Sequence, residues 1–536
     1  MQEAHLLSSF VHRASDNSKC VLAWRFFAAA FSNSALYRLL CAIDRLISAA
    51  PDSSKIVCWL RRDWHEQHAF SHSVFGKIAS SLGTRLKPLA QRCSALLRAA
   101  VESSAVVALV TGVGTYASRL TSASYSAAIA SEATALTASY APSLPGVALA
   151  LFAFILPFTP TSVNTLFALT LLALVLLCKV YHGEFKIDFA RSYVPMLLLF
   201  GAACAATISS ATIRGSMPAL ILWASYAVVF FVSSQVVRKD SDLWFIALCW
   251  LASSVLVSLA GFVQYLSGIE TAAAWVDARA ADLIRTRVFS VFDNPNMLAE
   301  YLSYAVTLGI SMILAARHHL ERMLYSLSVL VSGLCLVLTF SRGGWIAVAV
   351  GVVVLGFLKD RRILILLFGL LLLMPLFASE AVLQRAETIV TLDDSSALYR
   401  LTIWRAAARM VRDYWLTGVG LGIAAFSKIY PLYEIAGTPA MHSHNLYLQI
   451  AVEMGIMGVL MFAFVMLNHA RDALSGRVVG RSSFVMLGLF AATCGQLVHG
   501  LIDNIWYSPK NVMFFWLAVG LTVGASMLRS KETQDA

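Results

Sequence analysis

The sequence predicts an all-α, polytopic membrane protein, a transmembrane helix bundle, and three observations carry that expectation. The chain is 59% hydrophobic, with a mean hydropathy of +0.72. Only 13% of its residues are charged, against about a quarter in a soluble domain. From residue 144 onward, apolar runs alternate with short charged connections, many of them near the length needed to cross a bilayer.

The runs cover 144–158, 163–180, 194–213, 217–237, 243–267, 297–315, 323–340, 345–358, 363–378, 446–467, 484–502 and 512–528. They predict about twelve helices, because a spanning segment must satisfy its backbone hydrogen bonds internally. The first run is short and ends at Pro157 and Pro160, which predicts a tight hairpin with the second. Residues 1–143 are different in kind: polar, basic, rich in Ala and Ser, with apolar residues at helical spacing in 21–47 and 74–110. They predict a cytoplasmic region of amphipathic helices. The first thirty residues show no apolar core followed by a small-residue cleavage site, so no cleaved signal peptide is expected.

Orientation follows from lysine and arginine, which favour the cytoplasmic side. If the basic N-terminal region is cytoplasmic, the same side receives Lys186 and Arg191, Arg238 and Lys239, Arg317 and Arg322, Lys359 to Arg362, Arg471 to Arg481, and the 529–536 tail with Arg529 and Lys531. The net charge of +11 is then a property of these connections, and no nucleic-acid partner is read from it. The opposite side receives 268–296, the turn at 341–344 and a long loop at 379–443. A loop that long in a compact domain is usually functional or disordered.

The outer segments break the charge bias with Arg285, Arg287, Arg342, Arg385, Arg400, Arg405, Arg409 and Arg412. Guanidinium groups hold phosphate through a planar fork of donors and never lose their charge, so an outer cluster beside the bilayer suits a lipid-linked phosphate or pyrophosphate. The bland alternative, pairing with Glu387, Asp393, Asp394 and headgroups, fits Arg385, Arg409 and Arg412 well. Arg342 has no adjacent acid and precedes two glycines. A second signal is Met441-His442-Ser443-His444-Asn445, where the long outer segment re-enters the membrane. A histidine there can take a proton from a sugar hydroxyl, although a lone histidine at a helix start is more often a cap or a solvated side chain. No third soft ligand accompanies the pair, so no metal is expected. The nine cysteines fall in the N-terminal region or in apolar runs without metal-like spacing and read as packing residues.

His444-Asn445, nine further residues and then Gly455-Ile456-Met457-Gly458-Val459 resemble the signature of the O-antigen ligase and polymerase superfamily. Three more blocks resemble it in the same order: Arg287-Val288-Phe289 with 292–296, 341–345, and 400–404 with 418–422. The resemblance covers about 145–528 and implies a metal-independent glycosyltransferase without cofactor in the inner membrane. Its donor would be a glycan on undecaprenyl pyrophosphate and its acceptor a glycan or lipid-linked hydroxyl at the extracytoplasmic face. On the matching positions, Arg342 and Arg400 would hold the pyrophosphate, with Arg287 a third contact, and His444 would orient or deprotonate the acceptor. His442, Asn445 and Arg405 are candidate substrate contacts, and His442, expected in the loop, should be the more tolerant of the two histidines. Asp503 at the last outer turn is expected to cap a helix. The rival class is a secondary transporter, a label some members of the superfamily carry; it should place ionisable groups at mid-helix.

Overall fold

Twelve helices fall on the twelve apolar runs, in a computed structural model that describes residues 88, 91–96, 98–99, 143–182, 190, 192–269, 286–391, 395–475 and 480–532. They are α1 (Leu144–Ile155), α2 (Thr161–His182), α3 (Tyr193–Ile208), α4 (Ile213–Val236), α5 (Asp240–Leu266), α6 (Pro295–Ala315), α7 (His319–Leu338), α8 (Arg342–Leu358) and α9 (Arg362–Phe377). After an intervening segment come α13 (Leu446–Leu474), α14 (Arg481–His499) and α15 (Pro509–Glu532). Eight of them are long and apolar enough to cross a membrane. The chain is an all-α, multi-pass membrane protein.

The stretch 379–443 differs from the expected loop. It folds into α10 (Glu380–Thr391), α11 (Ser395–Asp413), α12 (Gly422–Ile429) and a 3-10 turn at Tyr430–Leu432. The reason lies in α11, where Ile403, Ala406, Ala407 and Met410 repeat at i, i+3, i+4, i+7 and are fully buried. They close a small second core with Phe426, Tyr430 and Val452. The turn expected at 341–344 is likewise the first turn of α8, entered through Ser341.

Helices α6, α14 and α15 are buried along most of their length, while α2 and α7 turn most of theirs outward. On α7 the exposed residues Leu320, Leu324, Leu327, Leu330 and Leu334 form a lipid-facing stripe. Between spans there is no hydrophobic gain in association, so close packing of small residues must hold the helices together. Gly495 of α14 runs so near the Ala347 carbonyl of α8 that an added methyl would collide with it, and Gly488 meets Ser311 of α6 in the same way.

Helices α6, α8, α13 and α15 begin at one end of the bundle, where α7 and α14 finish. Arg317, Lys359 and Arg481 lie at the other end. Near 91–99, Ser94 Oγ and Arg98 Nε both donate to the Tyr181 carbonyl, so this piece of the N-terminal region caps the C-terminus of α2 at the basic end. The other expected amphipathic helices of 1–143, and residues 270–285 with Arg285, lie outside the described residues.

Candidate functional site

Arg287 reaches the site because a short segment is pinned on three sides. Val288 N–H donates to the Leu338 carbonyl, and the Phe289 and Ser290 N–H groups donate to Gln264 Oε1 of α5. Asn294 then caps α6 by accepting from Asn296 N–H, with Pro295 in the first turn, where its missing donor costs nothing. Arg287 is 8% exposed; its Nε donates to the Thr339 carbonyl at 2.9 Å and its Nη2 to Asn296 Oδ1 at 3.1 Å. Burial lowers its pKa to about 9, and Arg385, Arg400 and Arg342 push the same way while Asp503 opposes. Four arginines therefore share one electrostatic neighbourhood.

Each of the other three comes from a different element. Arg342 opens α8, where the unpaired N–H groups of the first turn add their own positive field. The next residue, Gly343, lies flat against the His499 ring, which no side chain would permit. Arg385 lies on α10 and donates through Nε to the Phe340 carbonyl at 3.3 Å. Arg400 lies on α11, one turn before Trp404, whose Nε1 donates to the His444 carbonyl.

A buried carboxylate stands against this charge. Asp503, in the turn between α14 and α15, is 6% exposed and takes three side chains at once. Its Oδ1 lies 3.2 Å from His444 Nδ1, and its Oδ2 accepts from Asn296 Nδ2 at 3.0 Å and lies 3.5 Å from Arg400 Nη2. Burial alone would raise its pKa, but Arg400 and His444 prevail and hold it well below the usual carboxylate range. An ionised carboxylate only accepts, so the proton of the His444 contact sits on Nδ1 and leaves Nε2 as the basic nitrogen.

His444 has a left-handed backbone, with φ of 49°, as do Phe340 at 50° and Ser290 at 52° beside it. Non-glycine residues seldom adopt this conformation outside over-determined sites. His444 N–H donates to His442 Nδ1 at 3.2 Å, and the two rings lie 4.0 Å apart. Tyr399 meets the His444 ring edge-on at 5.8 Å.

The expected substrate contacts fare differently. His442 lies in the loop before α13 and is buried there: its ring meets that of Tyr507 at 4.4 Å in a tilted pair, and burial lowers its pKa to about 3. Asn445 is the N-cap of α13; its Oδ1 accepts from Leu448 N–H and its Nδ2 donates to the Leu501 carbonyl. Arg405 is on the exposed side of α11, away from the face that carries Arg400 and Trp404.

Residues 327–463 match the O-antigen ligase (Wzy_C) family model. That stretch, about a quarter of the chain, is similar to an O-antigen ligase domain. No curated relative matches the chain. The matched span holds Arg342, Arg385, Arg400, His442 and His444, while Arg287 and Asp503 lie outside it and are brought in by the fold. Backbone pairing explains the glycine blocks. Gly455 breaks α13 with φ of 62°, which frees Ile456 N–H to donate to the Trp415 carbonyl. Gly418 and Gly420, also at positive φ, flank the Val419 N–H donated to Val452. Gly455 is thus a break that docks 415–420, and Gly458 faces Met454 of its own helix.

Proposed function

We propose that this chain is a glycosyltransferase of the ligase or polymerase kind. It transfers a glycan from undecaprenyl pyrophosphate to an acceptor hydroxyl at the extracytoplasmic face of the inner membrane. The observation that carries the reading is the His444, Asp503 and Arg400 constellation inside a field of four arginines. Supporting it, the cluster lies at the end of the bundle away from the basic connections, where the positive-inside rule favours the extracytoplasmic side.

The acceptor hydroxyl attacks the anomeric carbon and gives its proton to His444 Nε2. As the new C–O bond forms, the bond to pyrophosphate breaks and that oxygen leaves with the electron pair. Asp503 holds the Nδ1 proton and stabilises the imidazolium that forms, the role a carboxylate plays behind any catalytic imidazole. Arg342 and Arg400 lie where the leaving charge develops, and the N-termini of α6, α8, α13 and α15 add positive potential at the same end. Arg287 is engaged by the fold and contributes chiefly through its charge.

The transporter reading asks for ionisable groups at mid-helix. Glu300 lies in the second turn of α6 and His469 near the end of α13, so neither favours it. The test is reconstitution of the purified chain with a polyprenyl-pyrophosphate-linked glycan and an acceptor polysaccharide. Release of polyprenyl pyrophosphate matched to glycan transfer is expected; translocation without bond cleavage refutes the reading.

A further inference from the structure

At the end of the bundle opposite the arginine and histidine cluster, the C-termini of α6 and α8 and the N-terminus of α14 part around a cavity of about 480 Å³. Arg317, Lys359, Gly480, Arg481, Ser483 and Phe484 line it. The charge there is out of balance. Glu321 accepts from Arg481 Nη2 at 2.8 Å and from the Arg317 backbone N–H at 3.0 Å, so among the described residues one carboxylate faces the three cations of the lining. Among the same residues Lys359 meets neutral groups, donating to Ser483 Oγ at 2.7 Å and lying 4.1 Å above the Phe484 ring. Arg481 Nε is buried without a hydrogen-bond acceptor. Gly480 brings no side-chain cap to α14, so the positive end of that helix adds to the surplus.

Aromatic rings fix the depth of the cavity. Trp244 lies 4.2 Å beneath the Arg481 guanidinium and meets Tyr325 edge-on at 6.1 Å. Trp and Tyr with one apolar and one polar side gather at the level of lipid headgroups. Arg238, Lys239, Arg361 and Arg362 at the same end are exposed and do not line this cavity.

The geometry points to a binding site for the phosphate of an anionic lipid headgroup, held between Arg317, Lys359 and Arg481 at the end of the bundle opposite the transfer site. The surplus of two positive charges suits a phosphodiester or diphosphate headgroup, and the depth suits a lipid in the leaflet rather than a free ion. The site stands whatever glycan the chain transfers.

Native mass spectrometry of the full chain, delipidated and then supplied with phosphatidylglycerol, phosphatidylcholine or inorganic phosphate, tests this. The wild type is expected to retain phosphatidylglycerol in preference to phosphatidylcholine, with inorganic phosphate failing to displace it. The double variant R317Q/K359Q, which spares the Arg481 ion pair, should bind phosphatidylglycerol about thirty-fold more weakly, while R361Q/R362Q at the same end binds as the wild type does. Equal retention of the two lipids by the wild type overturns the site, whether or not the variants fold. So does equal loss in R361Q/R362Q, and displacement by inorganic phosphate makes it a soluble-anion site instead.

Discussion

His444 Nδ1 lies 3.2 Å from Asp503 Oδ1, across 59 residues of sequence, and that contact fixes which imidazole nitrogen faces the substrate. Replacing Asp503 with Asn keeps the shape but can present an amide N–H to Nδ1, which reverses the tautomer and turns Nε2 into a donor. We expect Asp503→Asn to lower transfer by roughly 10²- to 10⁴-fold, with the protein still monodisperse in detergent. A turnover assay beside size-exclusion chromatography decides. Wild-type activity in Asp503→Asn would remove the carboxylate from the mechanism.

Arg342→Ala and Arg400→Ala should abolish transfer, and Arg→Lys should rescue either poorly, because a point charge cannot replace the two-pronged fork. Arg405→Ala and Arg409→Ala, both on the exposed side of α11, should stay within a few-fold of wild type. Steady-state kinetics with a lipid-linked donor separates the two groups. Equal loss at Arg409 would make the charges of α11 structural.

Acid should destabilise the folded protein through His442, whose pKa burial lowers to about 3. Below pH 6.5 the unfolded chain binds a proton there that the folded chain does not, so this stability is present above pH 6.5 and drains away towards pH 3. By pH 4 the loss is on the order of 3 kcal/mol. His442→Asn keeps an acceptor for the His444 N–H and should flatten the pH dependence of thermal unfolding. Asp503, held well below the usual range, adds a loss of the same sign only as the pH falls through the unfolded carboxylate range near 4, so the His442 contribution is read above pH 5.

Most of the bundle was legible because an apolar run can satisfy its backbone in lipid only as a helix. Arg342, Arg400 and His444 were legible because charge at a membrane boundary needs a reason. The helix α11 could have been read from Ile403, Ala406, Ala407 and Met410, whose spacing was visible but was masked by the arginines between them. Asp503 could not. Beside Asn504 at a helix end it has the pattern of a cap, and only the fold brings it to His444 and Arg400. The burial of His442 was hidden for a related reason: the ring it meets, Tyr507, follows α14 in the chain.

Gly455→Ala should impair folding more than any other single-methyl change in α13. The residue sits at φ of 62°, and a new methyl would collide with the Leu416 carbonyl group. The backbone term alone is about 1–2 kcal/mol, and the collision adds to it by prying 415–420 from the helix. Gly201→Ala, with open space around it, is the control and should leave the melting temperature unchanged or raise it slightly. Thermal unfolding in detergent measures both, and equal stability of the two variants would mean that the break in α13 is dispensable.

The last prediction concerns the step at His444 itself. Asp503 occupies Nδ1, Trp404 holds the backbone carbonyl, and the left-handed φ aims the ring, so the fold positions this imidazole from three directions. His444→Ala should remove the proton acceptor and cost roughly 10²- to 10⁴-fold in transfer. His444→Gln can still hydrogen-bond a hydroxyl but cannot take its proton, so it should bind donor and acceptor while failing to join them. Donor binding measured apart from turnover makes the distinction: a normal donor affinity with lost turnover assigns His444 to chemistry, whereas lost affinity assigns it to binding. Run in chelator, the wild-type reaction should proceed unchanged, because the proton goes to Nε2 and the leaving charge to Arg342 and Arg400. Activity that survives His444→Ala, or that vanishes with chelator alone, would end the proposal that this imidazole is the base.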